Sequence, residues 1–239
     1  MTTSTPTVVL VHGAFADAAS WSGVIAELQS RSIAVVAPPN PLRGLASDAA
    51  YIASVAAQID GPVILVGHSY GGALITVAGT TENVVGLVYI AAYVLEEGES
   101  LGELQGRFPD SPLVSNLKQA TYPVEGADPA VEVTITPEAF PDVFAADVPA
   151  PVTKILAVAQ RPLAAGAFTE TATAAAWKTK PSWALVAGAD HAINPEVERF
   201  GAKRAGATVV EIDGASHAVA VSQPKEVADL ILDAVRATS

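Results

Sequence analysis

Six short stretches of the chain are apolar at almost every position: 7–11, 33–37, 63–66, 84–92, 183–187 and 208–212. The first, 7–11, has no polar face and reads as a strand buried on both sides of a parallel sheet, and the others are read as strands of the same sheet. Between them the apolar residues recur at helical spacing. Trp21, Val24, Ile25 and Leu28 fall on one face of a helix over 21–30, with Ser20 as its expected N-cap. Tyr51, Ile52, Val55 and Ile59 do the same over 47–59, where Ser47 or Asp48 opens the helix. Further helices are predicted over 73–79, 195–205 and 224–236, the last with Pro224 in its first turn. Alternating strands and helices with short links predict an α/β fold. Its centre is a doubly wound, mainly parallel sheet of about six strands.

The rhythm changes after residue 95. From 96 to about 151 the chain is punctuated by proline and predicted to be loop-like, with scattered Leu104, Phe108, Leu113, Phe140 and Phe144. Segments 154–160 and 169–178 are predicted to be helical. A long irregular insertion in a compact domain is usually functional, often a lid. The expected division is therefore a core of 1–95 and 166–239 with a cap of 96–165.

Composition narrows the class. At 239 residues, half of them hydrophobic and 16% charged, the chain suits one domain with a large core. A net charge of −12 argues against nucleic acid and anionic membrane surfaces as partners. The chain has no cysteine, which excludes thiolate metal sites and cysteine nucleophiles. The first six residues lack a basic segment and lead directly into a strand. A cytoplasmic protein is expected, and the question of a removed leader stays open. No apolar run reaches the length needed to span a bilayer. No metal-ligand spacing and no Gly-x-Gly-x-x-Gly after a strand appears, so neither a metal nor a cofactor is expected.

The third long apolar run ends in Gly67-His68-Ser69-Tyr70-Gly71-Gly72, and a small-residue helix follows. In that context Gly-x-Ser-x-Gly is a nucleophile elbow, which raises a serine on a strained turn at the C-terminal edge of the sheet. A serine hydroxyl needs a base, and the base needs an orienting carboxylate. In an open parallel sheet both belong on loops leaving strand C-termini. His217, on the loop after the last strand, is the favoured base, because the chain order Ser…Asp…His puts histidine last. His191 competes from another such loop. Asp190 follows the strand at 183–187 and is the expected partner, with helix capping as its alternative role. The two oxyanion donors are expected from the N–H groups of Tyr70 and Ala14, Ala14 lying on the loop His12-Gly13-Ala14-Phe15. His12, Gly13, Phe15, Phe108, Phe140 and Phe144 are the expected pocket residues. His12 could instead brace its loop, and Phe15 could instead be ordinary core.

Together His12-Gly13-Ala14, the Gly67–Gly72 elbow, Asp190 and His217 resemble the α/β-hydrolase superfamily. The stretch from Val8 to Trp21 is similar to the small branch holding plant methyl esterases and hydroxynitrile lyases. The resemblance covers nearly the whole chain and is weakest over 96–180. It implies Ser69 as nucleophile, His217 as base, Asp190 as its partner and a small helical cap. It also suggests that the first two strands of the full eight-stranded hydrolase sheet are missing. The lyases of this branch carry threonine and lysine where this chain has Gly13 and Ala218, so the resemblance favours hydrolysis over cyanohydrin cleavage. The expected function is hydrolysis of small, mostly apolar carboxylic esters through an acyl-enzyme. A lyase, C–C hydrolase or perhydrolase on the same fold is the first alternative, and a non-catalytic ligand binder the second. A small ester is the expected partner, and a homodimer is left open.

Overall fold

A computed structural model describes residues 5–239. Its main sheet has six strands, β1 (Thr7–Val11), β2 (Val35–Val36), β3 (Val63–His68), β4 (Val84–Ile90), β8 (Ser182–Ala187) and β9 (Thr208–Ile212). They lie in the order β2-β1-β3-β4-β8-β9, every neighbouring pair parallel. Strand side chains alternate between faces, and this sorts the apolar runs into two cores. Val9, Val11, Leu65 and Tyr89 point to one side, against α2 (Leu45–Ala57) and α3 (Tyr70–Ala78). Val8, Leu10, Ile64, Val66 and Val88 point to the other, against Trp21 and Leu28 and the long C-terminal α9 (Pro224–Thr238). The helix carrying Leu28 is α1 (Ser22–Ser30), and α7 (Pro195–Arg204) links β8 to β9. These central strands need apolar residues on both faces, which is why they read as unbroken runs.

Three local expectations are corrected. Ser20 is not the cap before α1. A 3-10 turn, Ala18–Trp21, precedes that helix, and Asp17 caps the turn by accepting a hydrogen bond from Ala19 N at 2.8 Å. Neither Ser47 nor Asp48 opens α2, which starts at Leu45; Asp48 instead accepts from the N–H groups of Arg43 and Gly44. The segment 169–178 is not a helix. Gly98 N donates to Ala172 O and Ala172 N to Glu99 O, so main-chain bonds to another segment replace helical ones, and only Ala176–Lys178 makes a 3-10 turn.

The stretch expected to be loop-like carries regular structure. Besides helices α4 (Leu101–Gln105) and α5 (Phe140–Phe144) it supplies two strands of a three-stranded antiparallel sheet, while α6 (Ala150–Val158) falls largely on the helix expected over 154–160. The strands of this sheet are β5 (Leu117–Tyr122), β6 (Ala130–Ile135) and the short β7 (Leu163–Ala164). Main-chain hydrogen bonds fasten this insertion to the main body at Phe15 N–Arg161 O, Ala164 N–Leu42 O and Ala218 N–Phe144 O. The four-residue helix α8 (Val219–Ser222) follows the last of these contacts. Among the described residues, no helix is long and apolar enough to cross a membrane.

Candidate active site

Ser69 sits between the end of β3 and the first turn of α3 with φ 56° and ψ −122°, a conformation costly for a residue with a side chain. The surroundings enforce it. Ser69 N donates to Ile90 O at 3.2 Å, and Ser69 O accepts from Gly72 N and Tyr93 N. The turn is too tight for side chains at its glycines. A Cβ on Gly67 would stand 2.5 Å from Gly71 O, and one on Gly71 would stand 2.4 Å from Val11 O. Ser69 sits at the N-terminus of α3, the positive end of its dipole, where the first N–H groups of a helix lack the usual intrahelical acceptors. The Tyr70 hydroxyl is tied down separately, donating to Asp48 Oδ2 at 2.9 Å.

The loops leaving β8 and β9 run side by side, joined by Gly188 N–Ile212 O and Ala189 N–Ala215 O. This pairing brings together two residues 27 positions apart: His217 Nδ1 meets Asp190 Oδ2 at 2.5 Å, both side chains buried. The other oxygen of Asp190 accepts from Ala192 N at 2.6 Å and Ile193 N at 2.8 Å, which fixes the orientation of the carboxyl group toward the imidazole. His217 is held further by Ala218 N–Phe144 O and by the Phe144 ring, edge-on at 4.8 Å.

His68 adds a support that sequence reasoning did not foresee. Its Nε2 lies 2.8 Å from His217 O, and a carbonyl only accepts, so Nε2 carries the proton. Burial, then the neighbouring His217, push its pKa well below the usual histidine value, so the ring stays neutral. His191 stands elsewhere. It is exposed, with Nδ1 against Asp142 O at 2.9 Å.

The loop after β1 is organised by His12. Asn40 N donates to His12 Nε2 at 2.9 Å, leaving Nδ1 to donate to Gly13 O at 2.8 Å. His12 is wholly buried and borders neither cavity at the site, so it braces the loop and is not a pocket residue. Gly13 is not one either: a Cβ there would lie 2.7 Å from Ser69 Cβ, so its bareness lets the loop touch the elbow. Phe15 N is taken by Arg161 O, whereas Ala14 N makes no hydrogen bond among the described residues.

A small cavity opens onto Ser69 and His217, bordered by Ala14, Phe15, Tyr93 and Leu163 among others. Its remaining lining, including Leu101, Leu113, Phe168, Ala192 and Ile193, is apolar. Tyr93, Ala192 and Ile193 follow strand ends, so the rule that found Asp190 also reaches them. Leu163 and Phe168 carried no such signal. Two expected pocket residues, Phe140 and Phe144, stack on each other at 4.9 Å. With Phe15 they border a second small cavity behind His68, not the one that holds Ser69. Phe108 packs on Phe200 at 5.6 Å and borders neither, because α7 offers it an apolar partner outside the site. Among the described residues, no three histidine, cysteine, aspartate or glutamate side chains group as a metal-ligand set.

Known proteins agree with this geometry at the level of fold. The crystal structure of polyneuridine aldehyde esterase superposes with a TM-score of 0.82 at 21% identity, covering 97% of this chain and 99% of that one. A pyrethroid hydrolase from Sphingobium faniae JZ-2 gives 0.77 at 22%, over 97% and 98%. A methylesterase from Arabidopsis gives 0.79 at 18%, over 97% and 99%. No curated protein matches the sequence. The family described as "Alpha/beta hydrolase family" matches residues 8–230, nearly the whole chain, and the protein belongs to that family.

Proposed function

We propose that this protein is a serine carboxylesterase acting on small, mostly apolar esters. The observation that carries the reading is the buried His217–Asp190 pair, whose histidine borders the same cavity as Ser69 on its strained elbow. Ser69 Oγ attacks the ester carbonyl carbon while His217 Nε2 takes the hydroxyl proton. Asp190 holds the imidazole by its Nδ1–H and stabilises the imidazolium. The tetrahedral oxyanion is held by the N–H groups of Ala14 and Tyr70. Collapse expels the alcohol, which receives the proton from His217, and leaves an acyl-serine. Water, deprotonated by the same imidazole, attacks the acyl carbon and releases the acid.

The substrate class follows from the cavity. Its lining offers hydrocarbon on nearly every side and no cationic side chain, which favours uncharged acyl groups. Two of the neighbours above are named as esterases, and the third as a pyrethroid hydrolase. At Ala218, directly after the proposed base, there is no cation to stabilise a cyanide leaving group.

The test is hydrolysis of a p-nitrophenyl ester series from acetate to octanoate, with fluorophosphonate labelling. The parent should turn over the short esters and take up the label. Ser69→Ala should lose labelling and at least about 10³-fold in kcat, because members of such a triad act as a unit. Undiminished hydrolysis by Ser69→Ala, or an unlabelled parent, sinks the proposal.

A further inference from the structure

One buried acid has no part in the mechanism above. Glu198 lies on α7 with its side chain turned under the end of β8, and it is only 3% exposed. Its Oε2 accepts a hydrogen bond from Ala187 N at 3.0 Å. Its Oε1 is fully buried and has no donor. A buried carboxylate oxygen left without a donor is costly, and a second carboxylate beside it makes the arrangement worse.

Two neighbouring groups are engaged elsewhere. Tyr93, on the loop after β4, has committed its hydroxyl proton to Gln105 Oε1 at 2.8 Å. Arg199, next along α7, turns outward to Glu196 and Glu211. Asp190 is what remains. Its carboxylate is within hydrogen-bonding reach of Glu198, and its oxygens already accept from His217, Ala192 and Ile193. A carboxylate oxygen that takes these bonds has room to accept one more.

We infer that Glu198 is a positioning residue for Asp190: a neutral carboxylic acid whose Oε1–H donates to the carboxylate that orients His217. The inference rests on the esterase reading above for its consequence in turnover, though not for the state of the carboxyl group itself. The order of groups from the sheet interior outward is then Ala187 N–H, Glu198, Asp190, His217 and Ser69. The arrangement explains the orphan oxygen, because a protonated Oε1 is a donor that needs an acceptor and finds one. It also divides the burden on Asp190, which keeps a single negative charge stabilised by hydrogen bonds from three directions. Burial first, and the charge of Asp190 second, push the Glu198 pKa well above the usual carboxylate range, in keeping with this geometry.

The substitutions Glu198→Gln and Glu198→Leu separate the possibilities. Glutamine supplies an oxygen for Ala187 N and an N–H for Asp190, so E198Q reproduces a neutral acid; leucine supplies neither. Infrared difference spectra at neutral pH, parent minus E198Q, should show the C=O band of a protonated carboxylic acid. That measurement needs no turnover, so it stands even if the esterase reading fails. On p-nitrophenyl butyrate, E198Q should keep the parental kcat and the parental acid limb of the pH–rate profile. E198L should lose about tenfold in kcat with KM little changed, the worth of one supporting hydrogen bond. No carboxylic-acid band, an acid limb displaced in E198Q, or parental kcat and pH profile in E198L would each overturn the inference. Should E198L fail to fold, the band and the E198Q profile still decide.

Discussion

Phe15 borders both the cavity that holds Ser69 and the one behind His68, so a single ring divides two apolar spaces of similar size. The residue is held in place against its own preference. Its φ is 62°, in the left-handed region, and its N–H is fixed to Arg161 O at 3.0 Å. If Ser69 carries an acyl group as proposed, a wall held in this way limits the length of the chain that fits beside it. Phe15→Ala should join the spaces without touching the elbow, the proposed base or the proposed oxyanion donor, Ala14 N–H. Each methylene that then becomes buried is worth about 0.8 kcal/mol, or about fourfold in kcat/KM. The ratio of kcat/KM for p-nitrophenyl octanoate over acetate should therefore rise well above the parental ratio, with acetate little affected. An unchanged ratio would mean that acyl chains do not run toward Phe15.

At the scale of the element, the elbow works because β3, α3 and β1 meet almost without side chains between them. Gly71 is the closest of these approaches, since its missing Cβ would fall 2.4 Å from Val11 O and 3.2 Å from His12 O. Backbone cannot yield as a side-chain tip can. Gly71→Ala should thus destabilise the protein by at least about 1–3 kcal/mol and displace the loop carrying Ala14. Gly166→Ala, which meets nothing within 4 Å, is the control. Thermal unfolding compares the two, and equal melting temperatures would show that the contact is not critical. The elbow was legible in the sequence because its chemistry forces particular residues into particular places. The same holds for the strands buried on both faces and for the strand-end positions of Asp190 and His217. The insertion was read less well, although one signal was present: Val131, Val133 and Ile135 alternate with Glu132 and Thr134, the mark of a half-buried strand. The prolines at 123 and 129 drew attention to the turn and away from the hairpin it joins. Segment 169–178 failed for the opposite reason. Its alanines favour a helix locally, but the main-chain bonds of Ala172 to Gly98 and Glu99 prevail. Nothing in the sequence announces a partner 70 positions away. The pocket aromatics failed likewise, since Phe108, Phe140 and Phe144 satisfy the same composition whether they line a cavity or pack beside it.

Across the whole molecule, buried ionisable groups decide how stability moves with pH. His12 and His68 are kept neutral chiefly by burial. The unfolded chain protonates them below the ordinary histidine value, so unfolding takes up protons and stability falls as pH drops through that range. Asp48 and Glu198 are displaced in the other direction, again chiefly by burial. The unfolded chain ionises them above the ordinary carboxylate value, so unfolding releases protons and stability falls as pH rises. Between the two ordinary values these slopes oppose each other. Above the histidine value both histidines are neutral in either state, and only the carboxyl linkage remains. Glu198 contributes to it for as long as it stays protonated in the native fold. E198Q keeps the neutral hydrogen bonds but cannot ionise. Relative to the parent it should gain stability as pH rises above the ordinary carboxylate value. Urea unfolding of the two proteins at several pH values reads the difference directly. A difference that stays flat above that value would mean that Glu198 is already ionised in the native protein.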